Sequence, residues 1–193
     1  ALLSAASLAT FSTAGAALVD LDQQQPGSTF GTPNWSREVT RVIGTDTKTL
    51  RAGAFRLNDQ VRDILAYCIE PGIPINLDEQ FDTMTQSSPW ASVFTDIDKL
   101  FTSSYDKVDN AAKAAGFQLA IWEIVAETDS TYDLTTGNHR ITQAGNAVLS
   151  AAASYLAALG AAGTGGFKYT TYVNSGQDLI SVDPVPVPAA AVL

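Results

Sequence analysis

The order of strand and helix patterns in this chain of 193 residues predicts an α+β fold. Apolar and polar residues alternate in the first third of the chain, as expected for strands. The middle of the chain carries helical periodicity, and alternation returns near the C-terminus. We therefore expect a β-sheet or barrel formed by N- and C-terminal strands, with an inserted three-helix subdomain at about residues 89–159 packed beside it.

Three segments near the N-terminus are candidate strands. Arg37–Gly44 and Thr49–Leu57 alternate weakly, and Val61–Ile69 alternates most clearly. The last of these ends at the turn residues Glu70-Pro71-Gly72. Cys68 is therefore expected at the C-terminal end of a strand, facing the core.

A first helix is expected after two polar stretches. Residues 17–36 read as a loop or an extended entry, and residues 73–86 are acidic and turn-prone. Ser87 and Ser88 provide an N-cap, and Pro89 fits the first helical position. Helical spacing then predicts one apolar stripe for packing against a neighbour. Its members are Trp90, Val93, Phe94, Ile97, Leu100 and Phe101.

The second helix, over Asn110–Glu127 with Asp109 as its N-cap, contains one polar residue out of place. Phe117–Val125 is apolar on nearly every face, which predicts a buried helix, yet Gln118 lies within it. A buried primary amide without partners costs about 2–7 kcal/mol. Two explanations stay open: hydrogen bonds to neighbouring backbone, or chemical conversion of the amide.

The last third of the chain predicts a loop, a helix and a hairpin. Thr128–His139 is polar and reads as a surface loop with a solvated histidine. A third helix is expected over Thr142–Leu159. Phe167–Asn174 and Asp178–Val182 alternate on either side of a turn and predict a β-hairpin.

Composition excludes several classes of function. A net charge of −9 makes a nucleic-acid groove or a basic membrane-binding face improbable. Cys68 is the single cysteine, so no intramolecular disulfide forms, and His139 is the single histidine, which excludes a multi-histidine zinc site. The spacing of Asp78, Glu79 and Asp82 does not match a calcium-binding EF-hand loop. We expect neither a cofactor nor a metal.

The lone thiol and the buried amide both lie in short motifs. Cys68 follows an aromatic residue and precedes an acidic one by two positions, and Gln118 opens the sequence Gln-Leu-Ala-Ile-Trp. These two motifs resemble those of the thioester domains of bacterial surface proteins, over about residues 17–182. The flanking motif positions are Tyr67, Glu70, Phe117, Ala120, Ile121 and Trp122. Phe117 stands where many members of that family carry Thr.

The resemblance implies that Cys68 and Gln118 join in an internal thioester. Such a bond would acylate a surface amine or hydroxyl, on a protein or a polysaccharide, once per molecule rather than with turnover. The implied protein is a covalent adhesin, secreted or held at the cell surface.

The two ends of the chain suggest export. Residues 1–16 form an apolar run closing with Ala14-Gly15-Ala16, which fits a signal-peptide remnant. Residues 183–193 include Val185–Ala190, similar to the Val-Pro-x-Pro-Ala form of a truncated PEP-CTERM sorting segment. This similarity implies a Gram-negative, biofilm-forming source, with membrane attachment only through a sorting helix that follows.

Two other classes of function stay open. One is a non-covalent structural or glycan-binding matrix protein in which Cys68 and Gln118 are merely packed. The other is a secreted hydrolase that uses carboxylates or His139.

Overall fold

A computed structural model describes residues 17–84, 90–127 and 131–185, and confirms the α+β class. Within these ranges the chain forms ten strands and three α-helices. The strands are β1 (Ala17–Val19), β2 (Asp22–Gln23), β3 (Ser36–Ile43), β4 (Asp46–Gly53), β5 (Phe55–Asn58), β6 (Asp63–Cys68), β7 (Phe81–Met84), β8 (His139–Gln143), β9 (Phe167–Val173) and β10 (Leu179–Pro184). The helices are α1 (Phe94–Ser104), α2 (Ala111–Ala126) and α3 (Asn146–Ala158).

The strands form two antiparallel sheets. Seven strands pair in the order β1-β7-β9-β10-β6-β5-β2, and three pair in the order β4-β3-β8. The predicted hairpin of β9 and β10 is confirmed, and β10 pairs with β6 so that Leu179 lies opposite Cys68. The C-terminal hairpin thus lies beside the strand that carries the single thiol.

Helix α2 lies at the centre of the molecule, in contact with α3 and with strands of both sheets. Its residues from Ala114 to Ile124 are buried on every face, as the apolar sequence predicts. Asn110 is the N-cap, because its side-chain oxygen accepts from the N–H groups of Ala112 and Lys113. The prediction that Asp109 has this role is wrong by one residue.

Several predicted boundaries are also wrong. Thr49–Leu57 is not one strand, since the chain leaves β4 at Gly53 and enters β5 at Phe55. β3 and β4 do not join the sheet of the C-terminal hairpin but form the second sheet with β8. The polar stretches at residues 17–36 and 73–86 contain the short strands β1, β2 and β7, which pair through backbone hydrogen bonds that need no apolar alternation.

The helices begin later than predicted. Residues 90–93 form a turn before α1 begins, and the expected cap at residues 87–89 lies outside the described residues. The third helix starts at Asn146 rather than Thr142, because residues 139–143 form strand β8. The apolar stripe of α1 is confirmed, with Ile97, Leu100 and Phe101 buried.

Of the two terminal segments, residues 1–16 and 183–193, the structure describes only residues 183–185. Residues 1–16, the expected signal-peptide remnant, lie outside the described residues, as do residues 186–193 of the expected sorting segment. Asp183 and Pro184 belong to β10. Among the described residues, no helix combines the length and the apolar character needed to span a membrane.

A glycine sets the distance between α2 and α3. A Cβ atom placed on Gly116 would lie 2.7 Å from the Cβ of Ala151 and 2.9 Å from the carbonyl oxygen of Val148. Two helical backbones meet here, so neither neighbour can move aside cheaply.

We therefore expect Gly116→Ala to lower the free energy of unfolding by about 1–3 kcal/mol, despite the better helix propensity of Ala. Gly163→Ala is the matched control, because a Cβ there meets nothing within 4 Å. Urea unfolding measures both variants. Equal stability of the two would contradict the close approach of the helices.

Candidate functional site

Cys68 and Gln118, 50 positions apart, hold each other through two hydrogen bonds. The Cys68 N–H donates to Gln118 Oε1 at 2.9 Å, and Gln118 Nε2 donates to the Cys68 carbonyl oxygen at 2.7 Å. The two residues expected to form the thioester are therefore in direct contact. These hydrogen bonds to backbone satisfy the polar atoms of the buried Gln118 amide. The backbone that supplies them belongs to Cys68, the residue that carries the thiol.

This pairing is possible because one edge of β6 is open at Cys68. The last β5–β6 pair joins Phe55 to Ala66, after which β5 has no further residue. The Ile69 N–H faces the other way, toward β10. Since backbone groups of successive residues face opposite sides of a strand, the N–H and C=O of Cys68 face the vacated β5 side. The amide of Gln118 takes the place of the missing strand.

The aromatic residues that precede the two reactive residues pack on each other. The ring centroids of Tyr67 and Phe117 lie 5.0 Å apart, and Phe101 packs edge-on against Phe117 at 4.9 Å. Burying these rings fixes α2 against β6. Phe117 is thus a member of this aromatic cluster. The remaining motif positions Ala120 and Ile121 are buried core residues.

The acidic motif residue, Glu70, organises the end of β6. Its N–H donates to the Cys68 sulfur at 3.3 Å, and its Oε2 accepts from the N–H of Asp178 at 3.1 Å. Burial is the main cause that raises the pKa of the Asp178 carboxyl to about 6, and the negative charge of Glu70 is the second cause. A group that titrates near neutral pH therefore lies close to the thiol.

The thiol itself is shielded from water. Cys68, Gln118 and Trp122 are 0%, 1% and 2% exposed. Burial raises the pKa of the Cys68 thiol to about 12, and the N–H groups of Trp122 and Glu70 oppose this rise. The Trp122 indole N–H has no hydrogen bond of regular geometry among the described residues, so we attribute its effect to a nearby dipole.

A cleft of about 580 Å³ leads to the buried pair. One wall is β4 and the other is the turn at residues 72–75. The Lys48 ammonium donates to the Gly72 carbonyl oxygen at 3.0 Å and so connects the two walls. The lining residues are Thr29, Phe30, Thr47, Lys48, Thr49, Leu50, Arg51, Gly53, Phe55, Cys68, Gly72, Ile73, Pro74, Ile75, Gln118, Trp122 and Gln177.

A buried hydrogen-bonded pair, absent from the sequence-based expectations, supports α2 one turn beyond Gln118. His139 Nδ1 lies 2.8 Å from Glu123 Oε2, and neither side chain is exposed. Glu123 Oε1 also accepts from the Asp133 N–H at 2.7 Å. The prediction of a solvated His139 is wrong, because this residue begins β8 and is buried. His139 does not line the cleft. A hydrolytic role for it at this site has no support.

Sequence reasoning missed Gln177 and Asp178, because Gln177 reads only as a turn residue and Asp178 only as the start of a hairpin strand. Both lie where β10 meets the end of β6, a neighbourhood that no local pattern reveals. The described ranges hold no group of three or more His, Cys, Asp or Glu side chains able to bind a metal ion. Asp78, Glu79 and Asp82 are thus not brought together as ligands.

The high pKa of the Cys68 thiol can be measured in Gln118→Met, which cannot form an acyl bond. We expect alkylation by iodoacetamide to rise about tenfold per pH unit between pH 7 and 9.5, because the thiolate fraction still grows there. In the urea-unfolded chain the rate should level off above about pH 8.5, the ordinary thiol value. A plateau near pH 8.5 in the folded variant would contradict the account.

Loss of the buried Glu123 side chain should be costly. We expect Glu123→Ala to lower the free energy of unfolding by about 1–3 kcal/mol for each buried group that it leaves without a partner, namely the His139 ring and the Asp133 N–H. Lys113→Ala, which breaks an exposed pair with Asp109, is the control and should change stability little. Similar urea midpoints for the two variants would be the contrary result.

Comparison with known proteins agrees with this geometry. No curated protein and no solved structure shows significant similarity to the chain. The model of the family described as "TED: Thioester domain" matches residues 65–160, a range that includes both Cys68 and Gln118. Members of this family bond covalently to nucleophiles on their targets. Residues 65–160 of this chain therefore belong to the thioester domain family.

Proposed function

We propose that this protein is a covalent adhesin in which Cys68 and Gln118 form an internal thioester that acylates a surface nucleophile. One observation carries the proposal: the single cysteine of the chain is the residue that clamps the one buried amide of α2. Each molecule would react once, because the acyl group comes from its own side chain. This is stoichiometric self-modification and not enzymatic turnover.

Formation of the bond is an acyl exchange within the folded protein. The Cys68 sulfur attacks Cδ of Gln118, the new S–C bond replaces the C–N bond, and ammonia leaves with the proton from the thiol. The Cys68 N–H, at 2.9 Å from Oε1, is placed to stabilise the negative charge that develops on that oxygen. The Glu70 N–H similarly favours the thiolate.

Reaction with the target reverses the roles of the groups. An amine or hydroxyl attacks Cδ, the C–S bond breaks, and the proton of the nucleophile passes to the sulfur. The product is an amide or ester through the side chain of Gln118, with a free Cys68 thiol. Since burial makes this thiol a poor acid, the sulfur readily retains the proton it receives.

The same burial protects the bond before it meets a target. Cys68, Gln118 and Trp122 are almost fully buried, which limits the contact of the bond with water and slows hydrolysis. A nucleophile reaches the bond through the cleft, which is large enough for an extended side chain or a sugar unit.

The proposed site of action is the cell surface of a Gram-negative bacterium. The thioester domain family is typical of surface proteins. The apolar N-terminal run and the Pro-rich C-terminal segment of the sequence further support export and sorting. The target amine or hydroxyl would belong to a protein or polysaccharide that such a surface meets.

Methylamine tests the proposal. We expect one methylamine to be incorporated per molecule, with peptide mapping that places it on Gln118 and places a new alkylatable thiol on Cys68. Cys68→Ala and Gln118→Ala should each abolish incorporation, because each removes one half of the bond. Gln143→Ala, at an exposed glutamine, should react as the wild type does.

Incorporation at another residue, or in either site variant, would show that the reactive group lies elsewhere. A folded wild type that takes up no methylamine would instead favour the non-covalent matrix protein, in which the Cys68–Gln118 clamp only stabilises the fold.

A further inference from the structure

An unpaired hydrogen-bond acceptor belongs to the same cleft lining as Cys68 and Gln118. Several buried side-chain nitrogen and oxygen atoms lack hydrogen-bond partners among the described residues. Two of these atoms belong to residues that line the cleft, Trp122 and Gln177. Trp122 offers a donor, its indole N–H. Gln177 offers an acceptor, the side-chain oxygen Oε1.

The orientation of the Gln177 amide is determined by its neighbours. Its Nε2 donates to the Ile73 carbonyl oxygen at 2.6 Å, so the other end of the amide must be the oxygen. The Gln177 N–H donates to the Pro74 carbonyl oxygen at 3.1 Å and holds the backbone in place. The side chain is only 7% exposed, so this unpaired oxygen is costly to the folded state.

The other parts of the acyl transfer already have partners. The carbonyl oxygen of Gln118 has the Cys68 N–H, and the sulfur has the Glu70 N–H. The hydrogen carried by the attacking nitrogen or oxygen of the nucleophile still lacks a hydrogen-bond partner. When an amine or hydroxyl attacks a carbonyl, positive charge develops on that N–H or O–H, and an acceptor aimed at it stabilises the transition state.

We propose that Gln177 Oε1 accepts a hydrogen bond from the N–H or O–H of the nucleophile as it attacks the thioester. This inference rests on the proposed function and deepens it: the cleft selects nucleophiles that carry a hydrogen, primary amines and hydroxyls, over thiolates that carry none. Gln177 orients the nucleophile and does not take its proton. That proton passes from the nucleophile to the Cys68 sulfur as the C–S bond breaks.

The test compares two nucleophiles of similar size, ethylamine and ethanethiol, the latter reacting as its thiolate. Rates of adduct formation are measured by intact mass and expressed per molecule of ammonia-deficient protein. In Gln177→Leu the ethylamine rate should fall about tenfold or more, the effect of losing one hydrogen bond of about 1.4 kcal/mol to developing charge. The ethanethiolate rate should stay within about twofold of wild type.

Two further variants complete the design. Gln177→Asn retains both the acceptor oxygen and the amide donor on a shorter side chain and should shift the ratio of the two rates back toward the wild-type value. Gln143→Leu makes the same substitution as Gln177→Leu at an exposed glutamine outside the cleft lining and should leave the ratio unchanged. If Gln177→Leu does not fold, Gln177→Met replaces the same oxygen and the same change in ratio is expected.

Each outcome has one meaning. A parallel fall of both rates in Gln177→Leu would overturn the inference, because it would show that Gln177 only supports the turn at Ile73 and Pro74. Unchanged rates would overturn it equally. Failure of the proposed function looks different, since the wild type would then form no adduct with either nucleophile.

Discussion

The pairing of the Cys68 backbone with the Gln118 side chain is the contact on which the rest of the site depends. It exists because β5 begins only at Phe55, opposite Ala66, and leaves the N–H and C=O of Cys68 without a strand partner. Unpaired backbone groups at a buried position cost about as much as a lost hydrogen bond. An amide supplies both a donor and an acceptor, so Gln118 meets this need, and its amide is held against the backbone of the residue that carries the thiol.

The surrounding structure serves to keep α2 in register with β6. Tyr67 and Phe117, which precede Cys68 and Gln118 in the sequence, pack together. Gly116 allows α3 to pack closely against α2. The buried pair of Glu123 and His139 ties the next turn of the helix to β8. An acyl exchange requires its reacting atoms to be held in a nearly fixed geometry. The density of contacts around a single helix is therefore what the proposed chemistry requires.

The sequence predicted the parts of this arrangement that follow from local patterns. The buried helix, the strand ending at Cys68 and the two motifs all have a local signature, and they were sufficient to indicate the reactive pair. Partners from distant segments were not predictable. A polar context made His139 look solvated, whereas Glu123 pairs with it inside the core. Gln177 reads as an ordinary turn residue until the hairpin of β9 and β10 is placed beside β6.

The most direct test of the central claim is the intact mass of the protein purified in buffers free of amines. An internal bond between Cys68 and Gln118 makes the chain lighter than its sequence by one ammonia, and this deficit should disappear in Cys68→Ala when allowance is made for the substitution. The account predicts the ammonia-deficient mass in the wild type. The full sequence mass for folded, freshly purified protein, together with one titratable thiol, would contradict it.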